Sequence, residues 1–535
     1  MSRMTSYWTL ILVGLLICSQ IHTTAPAGAA PQRPAKGKQS GPGRQRPARS
    51  KPVTIEDHPL IKRLTAIRNG PGLVVCEPAP KDVPQKVADF GDGCGRWLHV
   101  IVAGQPEFSK TPLWSFVDEA RRALKRADLR LSPSEAAQLR SLLGITHSAT
   151  GELKRSGQTG FTLTYQVWAH PGKKPVGAPV SVTGSEQEIC AGLPKLAAEL
   201  QRRLGMAAPR VPEKTAESVE ELRFVGGIPW VPDERLSTQQ LGQLERMAMG
   251  RFGAARSDGK ANVSVVSTLL VSEHQAKLQN AGWLGKNGSR VLLAQPENTI
   301  LLAEVYGSAL LTSAPVSEEW EARRTALSAR YPNNYLLRAC DVFACRSRGQ
   351  WKNARASMEM AVRCARQSPQ AWMGLHNTIF DEARTIRRGR TIDAMSPAEL
   401  KRCEALYAEA IPLAVMAANV APELSVVWET LSSAAAFLGD MELADEAFWL
   451  AVERDPADAD LLAWGLHLYH PKWIGDQKRL ERVADLCLRA APSLASFERL
   501  RAAVKMVRGG LGDRAMKMVQ TDAERAELRR LIAGR

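Results

Sequence analysis

The chain has 535 residues, 44% apolar and 24% charged, enough for about two to four domains with real cores, which excludes a disordered or fibrous chain. Its formal net charge is +16, but Arg3, Arg33, Lys36, Lys38, Arg44, Arg46, Arg49 and Lys51 supply half of it, with no acid among residues 1–53. The charge therefore marks a basic tail, not a basic fold.

Residues 1–29 read as a signal peptide. Arg3 gives a short positive start, residues 10–17 (LILVGLLI) are an apolar run too short to span a bilayer comfortably, and Ala27-Gly28-Ala29 is a small-x-small cleavage site. Cleavage is expected after Ala29, which places the mature chain in the periplasm or outside the cell; the alternative is an uncleaved N-terminal anchor facing the periplasm. A lipoprotein is not expected, because Ile17, not a small residue, precedes Cys18. No other run approaches a membrane span. Residues 30–53 hold Pro, Gly, Lys and Arg with almost nothing to bury, so they read as a disordered linker. Within it, 31–53 offers weak polyanion or cell-wall contact, and the lack of aromatic residues leaves no base stacking.

From 54 to 205 the pattern is mixed. Residues 72–76 (GLVVC) and 96–104 (RWLHVIVAG) predict strands, Leu113–Leu124 and Ser134–Leu143 helices, and 145–153, 161–169 and 178–184 further strands. Glu186–Leu204 predicts a closing helix. Cys76 and Cys94 flank one connection and are the most plausible disulfide for an exported chain. No CxxC occurs, so zinc and thiol-redox motifs have no support. A helix, then LGITHSATGEL, two strands and a helix ending LAAELQRRLG resembles the amino-terminal α/β domain of the TolB type. The resemblance implies an interaction module, not a catalyst.

Gly104, Ser109, Lys110 and Thr111 nearly spell a phosphate-binding loop. Ser109 stands where glycine must let backbone N–H groups wrap the phosphate, and Pro112 removes another donor. Residues 206–330 predict a mainly helical connection, with helices over Asn262–Gln279 and Asn298–Leu311, although VSVVSTLLV within the first also fits a strand.

The stretch 428–456 carries the strongest pattern. On a 34-residue frame starting at Ser425, Trp428, Leu431, Ala435, Gly439, Ala444, Phe448, Ala451 and Pro456 fall at positions 4, 7, 11, 15, 20, 24, 27 and 32. Each helix gains one buried stripe, Gly439-Asp440 separates the two, and Pro456 ends the second. The pattern recurs: Pro422 lies 34 residues before Pro456, and Gly349, Ala354, Met358 and Ala361 repeat the second-helix marks. Trp372 and Leu375 restart a first helix, stretched by an insert at 385–400, and 493–535 is a degenerate, charged cap. Residues 331–535 thus resemble the tetratricopeptide repeat (TPR). The resemblance implies a helical solenoid whose concave groove grips a protein or peptide, with Arg346, Asn377, Asp381, Glu429 and His467 facing inward.

No Ser/His/Asp, Cys/His or HExxH arrangement is present. His467 and His470 share a helical face without a third ligand, so no metal is expected. The sequence thus predicts an α+β N-terminal domain followed by an all-α solenoid, in an exported, non-enzymatic scaffold without cofactor or nucleic-acid partner. The alternatives are a nucleotide binder using 104–111, or a polyanion binder using its tail.

Overall fold

In a computed structural model, residues 55–228 and 297–533 are described, short stretches within them excepted. The predicted signal, its cleavage site, the basic linker and the predicted helix 262–279 lie outside the described residues.

The α/β domain begins with α1 (Pro59–Arg63) and β1 (Leu73–Lys81), then α2 (Gln85–Leu98), which continues as a wider turn over His99–Ala103. Then come α3 (Trp114–Ala123), α4 (Pro133–Leu143), β2 (His147–Ser156), β3 (Gly160–Ala169), β4 (Lys174–Pro175), β5 (Val180–Gly184) and α5 (Glu186–Arg203). β1 lies parallel to β2, β2 antiparallel to β3, and both β4 and β5 pair with β3. The α4 start is fixed by a Ser132/Glu135 capping box and its end by Gly144 in the left-handed region. Ser185 and Glu188 cap α5 in the same way.

One expected strand is corrected. Residues 96–104 are helical, not extended. A short apolar run buried on all sides looks the same in a helix and in a central strand. The glycines before it show why the helix wins. Gly91 and Gly95 sit one turn apart against Pro78 beside β1, and Gly93 faces α6 (Val219–Gly227), where an added Cβ would lie 2.0 Å from the Leu222 carbonyl oxygen. These small residues let α2 lie between strand and helix at close range. Cys76 and Cys94 are buried thiols, not joined in the expected disulfide. They belong to β1 and α2, whose facing surfaces close without a cross-link, and burial pushes the Cys76 thiol up to about 12.

The rest is helical: α7 (Thr299–Leu311), α8 (Glu318–Arg330), then the pairs α9 (Tyr335–Ser347) with α10 (Trp351–Cys364), α11 (Pro369–Arg387) with α12 (Pro397–Val420), α13 (Ser425–Leu438) with α14 (Met441–Arg454), and α15 (Ala459–Leu468) with α16 (Gln477–Ala490). α17 (Ser496–Arg508), α18 (Gly512–Met518) and α19 (Asp522–Ala533) close the stack. First helices contact first helices along the chain, from α9 through α11, α13 and α15 to α17. This is a TPR-like solenoid following an α+β domain. Gly439 is left-handed (φ 87°), and Ala444, Phe448 and Ala451 are fully buried. α12 is long and apolar enough to cross a membrane by length and composition alone. It packs between α11 and α13 as the second helix of its pair, and the 385–400 insert lengthens both α11 and α12.

Candidate functional site

A first helix of such a stack, held only by its own repeats, would keep one face in water. α9 and α11 do not. In α11, fifteen of the residues Pro369–Arg384 are buried, round the whole circumference. α9 is likewise buried from Tyr335 to Val342 and beyond, with Arg338 the half-buried exception. The cover comes from the same chain. α7 packs on α9, α4 touches α11, and α3 lies on α13. Backbone groups stitch the contact: Tyr335 N–H donates to the Ser109 carbonyl (2.8 Å), Leu113 N–H to the Gln370 side-chain oxygen (3.1 Å), and Ile67 N–H to the Arg363 carbonyl (3.0 Å).

This changes the meaning of the loop at 104–111. It follows a helix, its Gly104 carbonyl accepts from Thr299, Thr111 donates to the Ala103 carbonyl, and Ser109 binds α9. Its Ser109 carbonyl holds α9, and the Lys110 and Thr111 backbone N–H groups, donors a phosphate would need, are taken by the Pro71 and Phe108 carbonyls.

The five inward-facing side chains expected to line an open groove fall into two groups. Arg346, Asn377 and Asp381 are buried. Arg346 and Asp381 form an ion pair between α9 and α11, with Arg384 at 3.6 Å from the same carboxylate. Burial pushes the Asp381 carboxyl up, and the two guanidiniums pull against it. Arg346 and Asp381 join helices to each other, and with buried Asn377 they are not solvated groove walls.

Glu429 and His467 are half-buried. Glu429 sits where α3 crosses the stack. There Arg122 reaches from α3 to Asp455 (2.9 Å) and Asp458 (3.0 Å) ahead of α15. Burial, then Asp458 and Asp460, pushes the Glu429 carboxyl well above the usual range, against Arg501 and Arg122. Burial alone would lower the Arg122 guanidinium, but Asp458, Asp118 and Asp455 together outweigh it and keep it charged.

Beyond α3 the inward face opens. Trp464 and His467 on α15 are half-buried with their rings 5.6 Å apart, and the Trp464 indole donates to Ser432 Oγ (3.0 Å). Across from them α17 sets Arg501, Lys505 and Arg508 at i, i+4 and i+7, one face of a helix. Lys505 donates to the Ala463 carbonyl (2.7 Å), and Arg501 pairs with Asp460. Sequence reasoning passed over this stripe as the charged end of a cap, although its spacing was visible. It also passed over Arg122, which only the docking of α3 brings to the repeats. Among the described residues no three His, Cys, Asp or Glu side chains gather as metal ligands.

No protein-family model matches the chain, and no curated protein matches it. Among solved structures it is similar to the human IFIT1 dimer with m7Gppp-AAAA, at 12% identity and a TM-score of 0.32, over 64% of this chain and 77% of that one. It is also similar to the human IFIT1 dimer with PPP-AAAA, at 13% identity and a TM-score of 0.30, over 64% and 78%. The solenoid assignment stands on the helix pairing itself.

Proposed function

We propose that the chain is an exported, non-catalytic scaffold that holds a protein partner on the open inward face formed by α15 and α17. A TolB-like α/β module permanently fills the earlier part of that face. The observation that carries this reading is the contrast in cover along one row of helices: α9 and α11 are buried all round, while Trp464, His467, Arg501 and Lys505 keep part of their surface in water and Arg508 is exposed. Mixed aromatic and cationic side chains on rigid helices suit recognition, and interfaces favour Trp and Arg. Export rests on the N-terminal apolar run and Ala27-Gly28-Ala29. The nucleotide reading loses ground because the Lys110 and Thr111 backbone N–H groups of the 104–111 loop donate to the Pro71 and Phe108 carbonyls.

The test is site-specific photo-crosslinking in the native host. A photoreactive residue at position 508 should capture a discrete protein set that one at position 478, exposed on α16, does not. Identical capture at both positions would remove the face from consideration. Mass spectrometry of the mature chain checks export: its first residue should be Ala30, and an intact Met1 would exclude cleavage.

A further inference from the structure

We propose that the segment held on this face is an acidic peptide, read by Lys505 together with Arg501 and Arg508. The inference rests on the preceding reading and adds the partner's chemistry. The geometry comes first. The three cations lie on one face of α17, and Lys505 is pinned over α15 by its bond to the Ala463 carbonyl. An ammonium has three donors. The groups that act on Lys505 are Arg501 and Arg508 on its own helix, Asp460 and His467 on α15, and Cys487 on α16. Asp460, the one carboxylate among them, is held by Arg501. The Cys487 thiol is pushed up to about 12 by burial and stays uncharged. The His467 imidazole is pushed down to about 4 by burial, Lys505 and His470, so it too is neutral at physiological pH. Arg501 also faces Glu429, whose carboxyl burial, Asp458 and Asp460 push toward its neutral form, so Arg501, Lys505 and Arg508 stand against the Asp460 carboxylate, and a carboxylate arriving there complements them.

That surplus leaves a mark. Burial, then Arg501, lowers the Lys505 ammonium to about 7. A carboxylate placed beside it favours the charged form, so binding should take up a proton near neutrality. Affinity for an acidic peptide should then fall as pH rises through the Lys505 value. A neutral peptide should show no such dependence. A guanidinium in its place, as in Lys505→Arg, would stay charged throughout.

The experiment uses the full chain and fluorescence anisotropy with a labelled oligoglutamate peptide, its oligoglutamine counterpart and a single-stranded oligonucleotide, at pH 6.5 and pH 8.5 and fixed ionic strength. Oligoglutamate should bind up to about 25-fold more weakly at the higher pH, the fall expected when one required proton is lost from a group titrating near 7. Lys505→Arg should bind at both values with that fall removed. Arg508→Glu, a change on an exposed side chain, should weaken binding at both. Oligoglutamate bound no better than oligoglutamine overturns the acidic partner. An equal pH response in wild type and Lys505→Arg overturns the role of Lys505. Tighter capture of the oligonucleotide moves the site to another class of polyanion and overturns the peptide assignment. Crosslinking at position 508 that persists while oligoglutamate fails would leave the scaffold reading intact and remove only this inference.

Discussion

Glu429 and Arg346 show two ways in which a side chain expected to face a groove comes to serve the fold. The Glu429 carboxyl is pushed up by burial, Asp458 and Asp460. The folded chain thus holds its proton more tightly than the unfolded chain. This contribution to stability is full below the ordinary glutamate value and is lost as pH rises through the higher folded one. Glu429→Gln keeps the shape and removes the ionisation, so its advantage over wild type should grow from pH 5 to pH 8 in urea unfolding. A constant difference between the two proteins would show that Glu429 ionises freely. Arg346 behaves oppositely. Its side chain and that of Asp381 are 2% and 3% exposed. Removing one partner strands a buried charge, so Arg346→Ala should cost about 3–5 kcal/mol. The paired change Arg346→Met with Asp381→Leu should cost much less in the same assay. Similar losses from the single and the paired changes would mean that shape, not charge, holds α9 to α11.

Small residues decide how closely the helices approach. An added Cβ at Gly226 would lie 1.7 Å from the Asp89 carbonyl oxygen, so Gly226→Ala must push α6 away from α2. Overpacking of this kind costs about 1–3 kcal/mol, and a thermal melt of the full chain should show it. In the solenoid, Gly465 on α15 meets the Phe448 ring, where a Cβ would come within 2.4 Å, and Ala444 is fully buried on α14. Phe448→Ala should cost about 3–5 kcal/mol, against about 1–3 kcal/mol for Ala444→Leu. Harmless changes at both would displace the repeat frame. The frame was legible because its marks are contacts between two consecutive helices, α13 and α14, written within one window. The α2 helix was not legible. Its apolar run has no polar face to fix a period, and Gly91, Gly93 and Gly95 are the crossing points of a buried helix. The buried first helices were half legible. The apolar residues Leu336, Phe343, Met373 and Val426 stand at inward-facing places, a sign that something covers them, but nothing local says what.

Across the whole molecule one hydrophobic core runs from the α/β sheet through α7 into α13, with Leu73, Trp97, Tyr306, Phe343 and Trp372 all in it. A second lies among α13–α19. The first predicts that the α/β domain and the early repeats cannot be separated without loss. Residues 331–535 taken alone would return Leu336, Phe343, Met373 and Val426 to water. At about 1.5–3 kcal/mol for each fully buried side chain, that loss matches the whole stability of an ordinary domain, about 5–15 kcal/mol. The docking contacts Tyr335–Ser109 and Leu113–Gln370 would go with it. The full chain should therefore lose sheet and early-repeat structure in one transition, reported together by far-ultraviolet circular dichroism and by hydrogen exchange at Val74 and Leu375. The excised 331–535 fragment should keep part of its helix content but bind a hydrophobic dye and lack a sharp transition. A change at the contact itself should weaken the joint without dissolving it: Arg122→Ala removes the cation between Asp455 and Asp458, leaving Asp458 beside Glu429. Exchange should then quicken in α3 and at the start of α15 before it does in β1. A fragment that unfolds as sharply as the full chain, at the same urea midpoint, would show that the repeats fold by themselves and that the α/β domain only rests on them.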